Sequence, residues 1–114
     1  MKIIALKENR DFQRLYRGKF AAGAVLVTYA QKSKREGIRI GITTGKKIGG
    51  AVQRNRCRRI IRAAYRELAK QCSGKWDIVF VAREKTVPCK MQEVQREMRG
   101  QLKKLGVYVP NQNV

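Results

Sequence analysis

The sequence predicts an α/β (α+β) fold, a two-layer sandwich in which helices pack on a small sheet. Residues 25–30 and 38–43 alternate apolar with other side chains, as strands do. Residues 51–69 follow a helical period instead, and residues 76–82 (WDIVFVA) are almost continuously apolar. The predicted order is helix, strands, helix, strand, helix. A chain of 114 residues buries roughly 65% of its unfolded surface, so residues 1–114 are expected to form a single domain.

The first predicted helix covers approximately residues 10–17. Asn9 is the expected N-cap, and Gly18 would end the helix. Phe12, Leu15 and Tyr16 would then lie on one face, because residues three and four apart are neighbours on a helix. We expect this face to meet an apolar or aromatic partner.

Two predicted strands flank the polar turn KSKREG, which favours an antiparallel hairpin between them. The apolar segment 76–82 is expected to be the central strand. Between residues 43 and 76 lies the second helix, so this region has the length of a strand-helix-strand unit that joins parallel neighbours.

A third helix follows Pro88 and continues until Gly106. Its apolar residues recur at spacings of three or four: Met91, Val94, Met98, Leu102 and Leu105. The tail YVPNQNV has no periodicity, so residues 108–114, and 109–114 above all, are expected to be loosely held.

The charge of the chain is strongly one-sided. Lys and Arg total 27 against 8 acidic residues, a formal net charge of +19, which makes nucleic acid the leading partner class. A membrane-surface protein is a weaker alternative, because the apolar stripe of the second helix is narrow. No segment is long and apolar enough to span a membrane, and the start MKIIALKENRDF becomes charged too early for a secretory signal. A cytoplasmic protein without a membrane partner is expected.

The basic residues concentrate in the segment KKIGGAVQRNRCRRIIRAAYR, residues 46–66, which contains no Asp or Glu. On the predicted helix, one stripe faces a core: Cys57, Ile60, Ile61, Ala64 and Leu68. The opposite side collects Asn55, Arg58, Arg59, Arg62 and Arg66. An ordinary solvated face mixes charges of both signs, whereas this one places like charges four residues apart, which is unfavourable without an anionic partner. The face is therefore predicted to bind phosphates.

Residue types that commonly perform catalysis are scarce. The chain has no histidine, and its eight carboxylates are scattered, so a general base or a metal cage is not expected. The three cysteines, Cys57, Cys72 and Cys89, are widely spaced and are interpreted as reduced thiols. The chain alone is not expected to be a catalyst, and no catalytic or metal-binding residue is predicted.

One long motif resembles the protein subunit of bacterial ribonuclease P. It begins with Lys46, Lys47, Ile48 and Gly49 and continues with Ala51, Val52, Arg54, Asn55, Arg56, Arg59 and Arg62. The opening LKENRDFQRLYRG and the strand WDIVFVAR are similar to the same family, so the resemblance extends over nearly the whole chain. Two departures, Cys57 for an aliphatic residue and Ala63 for Glu or Gln, remove no charged or glycine position of the motif.

The resemblance implies a fold detail and a function. The crossover around the second helix would be left-handed, against the general rule for such units. The protein would assist a catalytic RNA subunit in the endonucleolytic removal of the 5′ leader from precursor tRNA. Magnesium would be bound mainly by the RNA, and no obligate protein partner is implied. A ribosomal or other structural RNA-binding protein, or a DNA-binding module, would share the charge and size but does not explain the motif.

The resemblance also implies two sets of binding residues. The set for the RNA subunit is Lys46, Lys47, Gly49, Arg54, Asn55, Arg56, Arg58, Arg59, Arg62 and Arg66. The set for the precursor-tRNA leader is Phe12, Tyr16 and Tyr29, whose rings could stack on unpaired bases. From the residues alone, simple packing explains each of these three aromatic side chains equally well.

Overall fold

The computed structural model describes residues 3–109 and has a five-stranded sheet with three α-helices. The strands are β1 (Ile4–Ala5), β2 (Phe20–Ala22), β3 (Leu26–Lys32), β4 (Ile38–Thr43) and β5 (Trp76–Ala82). The helices are α1 (Asn9–Tyr16), α2 (Ala51–Leu68) and α3 (Met91–Leu105). The strand order across the sheet is β1-β4-β5-β3-β2.

Strand β5 is central, as its apolar sequence predicts. It pairs with β4 in parallel, from Ile38 opposite Trp76 onwards, and with β3 antiparallel, from Leu26 opposite Ala82 onwards. The predicted hairpin is therefore wrong, because β5 lies between β3 and β4. An apolar strand such as β5 is most stable where both of its edges are paired and both faces are covered.

Strands β1 and β2 were not predicted. They form the two edges of the sheet, β1 parallel to β4 and β2 antiparallel to β3. Segments of two and three residues are too short to show the alternation by which strands are recognised. The observed order therefore begins with a strand that precedes the first helix.

Two layers account for most of the core. Helices α2 and α3 cover the face of the sheet that carries Ile78 and Phe80, both fully buried. The alternate side chain of β5, Val79, lies in a smaller cluster on the opposite face with Leu6 and Leu15. Because successive strand residues point to opposite faces, α1 packs on the side of the sheet away from α2 and α3.

The helix boundaries agree closely with the predicted ones, except at the first cap. Asn9 is already helical, and Glu8 precedes it without a capping side-chain hydrogen bond, so the prediction of Asn9 as N-cap is wrong. Helix α3 ends at Gly106, whose φ of 87° lies in the left-handed region that glycine adopts most easily. The predicted apolar stripe of α3 is confirmed, since Val94, Met98 and Leu102 are fully buried.

The segment after α3 makes backbone contacts with the domain at residues that were predicted to be loosely held. Tyr108 forms a β-bridge with Cys72, and the backbone N–H of Val109 donates to the carbonyl of Gln71 at 3.0 Å. The remainder of the expected tail, residues 110–114, lies outside the described residues. In the part of the chain that the structure describes, no helix has the length and apolar character needed to cross a bilayer. The left-handed crossover remains a prediction.

Candidate nucleic-acid interface

The basic face of α2 is exposed along its whole length. Cys57, Ile61 and Ala64 are fully buried and Leu68 nearly so, while Ile60 is half-buried. This arrangement confirms the predicted core stripe. The residues predicted opposite it are all exposed: Asn55, Arg58, Arg59, Arg62 and Arg66. Arg54 is half-buried.

This face has no internal counter-charge. Among residues 3–109, no ion pair involves a cation of α2. Arg58 makes one long contact, from its Nη1 to the carbonyl of Ile42 at 3.3 Å. Exposed cations four residues apart repel one another. An anionic partner would relieve this repulsion, and guanidinium groups match phosphate oxygens in geometry.

Arg56 differs from the other basic residues of α2. Its side chain is half-buried and donates to two backbone carbonyls, those of Val87 and Cys89, the second at 2.9 Å. The contacts join α2 to the segment that leads into α3. Arg56 therefore has a structural role in addition to any RNA-binding role, and its contact with the RNA subunit stays a prediction.

The start of α2 adds a second cationic group. Lys46 and Lys47 are exposed on a short 3₁₀ turn, and Gly49 has a φ of 133°, a conformation that side chains disfavour. The first turn of α2 has neither an acidic residue nor a side-chain cap, so its free N–H groups and helix dipole favour an anion. A groove of about 900 Å³ lies here, and its charged lining residues are Lys46, Lys47, Arg83, Glu84 and Lys85.

The other face of the sheet carries an exposed aromatic cluster. The ring of Tyr16 meets that of Tyr29 edge to face at 5.1 Å between centroids, and Phe20 lies 5.4 Å from Tyr29 on its other side. Tyr16 is 39% exposed and Phe20 59%. We call these three residues the aromatic cluster. Sequence reasoning missed Phe20, which becomes a neighbour of Tyr29 only through the pairing of β2 with β3.

Phe12 has a packing role in addition to any binding role. Its ring lies against Gly41 of β4, where an added Cβ would come within 2.6 Å of the ring atom Cε1. The side chain is half-buried and packs on the small cluster beneath α1. Of the three predicted leader-binding aromatics, Tyr16 and Tyr29 are therefore brought together, while Phe12 and Tyr29 are both half-buried and pack on the small cluster.

A buried carboxylate attaches α1 to the sheet. Asp77 of β5 is 2% exposed and accepts hydrogen bonds from Arg39 Nε at 2.8 Å, Arg39 Nη2 at 2.7 Å and Arg14 Nη2 at 2.6 Å. Asp11 adds a contact to Arg14 at 3.3 Å. The hydrogen bond with Asp77 raises the pKa of the Arg39 guanidinium further above its ordinary value. The network fixes the helix that carries Tyr16.

The described residues offer no obvious place for a metal ion. No three His, Cys, Asp or Glu side chains among residues 3–109 come together as a metal-binding group, and Asp11 and Asp77 are already bonded to arginines. The three cysteines are free thiols. Burial raises the pKa of Cys57 and Cys89, and it raises that of Cys72 to about 11. Thiols with raised pKa values are poor nucleophiles and poor ligands at neutral pH.

A small mixed α/β domain with an unneutralised arginine face and an exposed aromatic cluster has the features of a basic nucleic-acid-binding protein. The Ribonuclease P family model matches residues 2–106. The ribonuclease P protein component of Clostridioides difficile (strain 630) is 34% identical, covering 91% of this chain and 93% of the relative. That of Clostridium beijerinckii (strain ATCC 51743 / NCIMB 8052) is 37% identical, covering 93% and 91%.

Solved structures agree with the sequence relatives. The RNase P protein of Staphylococcus aureus superposes with a TM-score of 0.83 at 31% identity, covering 95% of this chain and 100% of that one. The protein from Thermotoga maritima superposes with a TM-score of 0.74 at 25% identity, covering 82% and 90%. The chain therefore belongs to the bacterial ribonuclease P protein family, as its motif predicts, and partners the RNA of that enzyme. The ribosomal and DNA-binding alternatives no longer apply.

Proposed function

We propose that the exposed face of α2 binds the RNA subunit of ribonuclease P and that the aromatic cluster binds the 5′ leader of precursor tRNA. The observation that carries the first half is that, among the described residues, no arginine of α2 forms an ion pair. Arg59, Arg62 and Arg66 are exposed without an acidic partner in the described residues, on a helix whose other side is fully packed. A rigid array of this kind binds a phosphate backbone with little ordering cost. Lys46, Lys47 and Gly49 extend the surface at its N-terminal end.

The second half rests on the exposure of aromatic rings. Large apolar side chains left in solvent on an otherwise compact domain mark a binding surface, and Tyr16 and Phe20 are two of the five such side chains among residues 3–109. Base stacking on aromatic rings contributes about 1 to 3 kcal/mol per base and tolerates any sequence. A surface of this chemistry suits an enzyme that accepts many different leaders.

In this proposal the chemistry belongs to the RNA subunit and its magnesium, and the protein alone is inactive. The support is the residue inventory: the chain has no histidine, and its best-placed carboxylates are held by arginines. The protein positions and screens two RNA molecules brought together. Free cysteines suit a reducing compartment, so we place the complex in the cytoplasm.

Salt-dependent binding tests the α2 surface. The variants Arg59→Ala and Arg62→Ala are compared with Arg99→Ala, which removes an exposed arginine from α3 instead. We expect each α2 variant to weaken binding to a bacterial ribonuclease P RNA and to lower the slope of log affinity against log salt by roughly 1, while Arg99→Ala leaves both unchanged. Unchanged slopes for both α2 variants would refute the assignment.

Comparison of precursor with mature tRNA tests the leader surface, since only the precursor carries the leader. In the reconstituted holoenzyme, Tyr16→Ala and Phe20→Ala should each weaken precursor binding by about 1 to 3 kcal/mol and leave mature tRNA binding unchanged. Tyr16→Phe keeps the ring and serves as the matched control. If melting temperature falls while the preference for precursor persists, the residue packs the fold and does not bind the leader.

A further inference from the structure

We propose that a cationic hollow beside the aromatic cluster binds phosphates of the leader nucleotides most distant from the cleavage site. This inference rests on the leader-binding function proposed above and extends it to a second surface. The hollow, about 630 Å³ in volume, lies between the N-terminal half of α1 and the turn that follows β3. We call it the distal hollow. Its cations are Arg10, Arg14, Lys32, Lys34, Arg35 and Arg39.

The charge of the distal hollow favours an anion. Among the described residues that line it, six are cations and one, Asp11, is an acid. Arg39 turns inward to the buried Asp77, Arg10 pairs with Glu8, and Lys32 Nζ lies over the Trp76 ring on the other face of the sheet. Lys34 and Arg35, by contrast, are exposed on the turn and appear in no ion pair of residues 3–109. The hollow therefore keeps a positive excess after its own pairs are formed.

One of its guanidinium groups is held in place in advance. Arg14 is bonded to Asp77 at 2.6 Å and approaches Asp11 at 3.3 Å, yet its side chain remains 47% exposed. The turn is ordered as well, because the backbone N–H of Arg35 donates to Ser33 Oγ at 3.0 Å. A donor that is already fixed loses little conformational entropy when it binds a phosphate.

The position of the hollow identifies its occupant. Gln31, which lines it, follows Tyr29 by two residues on the same face of β3, a separation of about 7 Å along the strand. A single strand stacked on the aromatic cluster would reach the hollow within about two nucleotides at roughly 3.4 Å each. The hollow thus continues the surface that we assign to the leader.

The sheet also sets the direction of the strand. The groove between Lys46 and Arg83 lies where β4 and β5 end, whereas the distal hollow lies where they begin, near Arg39 and Asp77. The groove adjoins the α2 surface that we assign to the RNA subunit, which performs the cleavage. Leader nucleotides next to the cleavage site therefore lie at the groove, and distal nucleotides reach the hollow.

A leader-length series in the reconstituted holoenzyme tests this inference. The face from Val81 to Asp77 spans about 13 Å, so at roughly 3.4 Å per nucleotide a leader of about 2 nucleotides ends before the hollow and one of about 10 enters it. The double variant Lys34→Ala/Arg35→Ala should weaken binding of the long-leader substrate by about three- to tenfold and reduce its salt slope by about 1.4. Binding of the short-leader substrate should not change.

Two control variants separate the possible outcomes. Lys103→Ala/Lys104→Ala removes equal charge from exposed positions of α3 and should leave the length dependence intact. An equal loss for both leaders, or weakened binding of the RNA subunit alone, would overturn the assignment of the hollow. Tyr16→Ala tests the leader-binding function on which this inference rests. If this variant weakens binding of both substrates while Lys34→Ala/Arg35→Ala changes neither, only the assignment of the hollow is refuted. If Tyr16→Ala changes neither, the leader surface itself is wrong.

Discussion

Replacing Asp77 by Asn should destabilise the fold more than the removal of any exposed charge. The carboxylate is 2% exposed and accepts hydrogen bonds at both oxygens from Arg39 and a third from Arg14. Asparagine has nearly the same shape, but its amide presents one oxygen and an NH₂ group that faces the guanidinium donors. The substitution therefore removes the negative charge and, whichever way the amide is oriented, leaves at least one guanidinium donor without an acceptor.

The size of the effect follows from the exposure of each arginine. Hydrogen bonds to charged groups contribute about 1.5 to 3 kcal/mol, and removal of one partner of a fully buried ion pair costs about 3 to 5 kcal/mol. The Arg39 side chain is 12% exposed and that of Arg14 47%, so water can replace much of the lost contact at Arg14. We expect a loss of about 2 to 4 kcal/mol, equivalent to roughly 10 °C in melting temperature for a domain of this size.

Urea unfolding of the isolated protein, followed by circular dichroism, measures this loss. Arg39→Ala should cost more than Arg14→Ala, because Arg39 is more buried and makes two of the three hydrogen bonds. Glu36→Gln is the matched control, since Glu36 pairs with Lys75 at 2.9 Å but is 86% exposed and should change stability by less than about 0.5 kcal/mol. The reasoning fails if Asp77→Asn is no more destabilising than Glu36→Gln.

Three further substitutions or reactions have defined outcomes. Gly41→Ala should displace the ring of Phe12 and lower the free energy of unfolding by about 1 to 3 kcal/mol. It should also weaken the preference of the holoenzyme for precursor over mature tRNA. An unchanged melting temperature and an unchanged preference would contradict the close packing of Phe12 on Gly41. Arg56→Ala should lower the free energy of unfolding in urea by about 1 to 3 kcal/mol, because two backbone carbonyls lose their donors. Arg59→Ala should change it by no more than about 0.5 kcal/mol. Equal losses for the two variants would contradict the structural role of Arg56. The pKa of Cys72 is raised from 9.0 to about 11, which lowers the fraction of reactive thiolate at pH 8 roughly a hundredfold. Alkylation of Cys72 by iodoacetamide should therefore be slower in the folded protein than in the unfolded chain by about that factor. Equal rates would show an unperturbed thiol.

The sequence predicts those elements whose pattern is local. Helices α2 and α3 repeat their apolar residues every three or four positions, and β5 is apolar throughout, so each is recognisable without its neighbours. The exposed face of α2 follows from the same periodicity, which is why Arg59 and Arg62 could be assigned before the fold was known.

The missed features depend on contacts between distant segments. The helical period leaves Arg56 outside the exposed face of α2, but its hydrogen-bond partners are known only once the carbonyls of residues 87 and 89 lie beside it. Phe20 joins Tyr29 only through a three-residue edge strand. The prediction of a hairpin was wrong for the same reason. The turn after β3 is compatible with a hairpin between β3 and β4, and only the insertion of β5 between these two strands determines how they pair.

The position of β5 in the sheet also sets the order of events on the ribosome. Strand β4 pairs with a strand whose first residue, Trp76, lies opposite Ile38, so all of α2 must be synthesised before the central strand exists. At the usual rate of translation, the edges of β3 and β4 that later pair with β5 remain unpaired for about 2 to 8 seconds. A hairpin that closed in that interval would have to reopen to admit β5. Early formation of α2 is favoured by its local contacts. Once formed, the helix could pack on β4 before β5 is synthesised, which would shorten the exposure of the strand edges to aggregation.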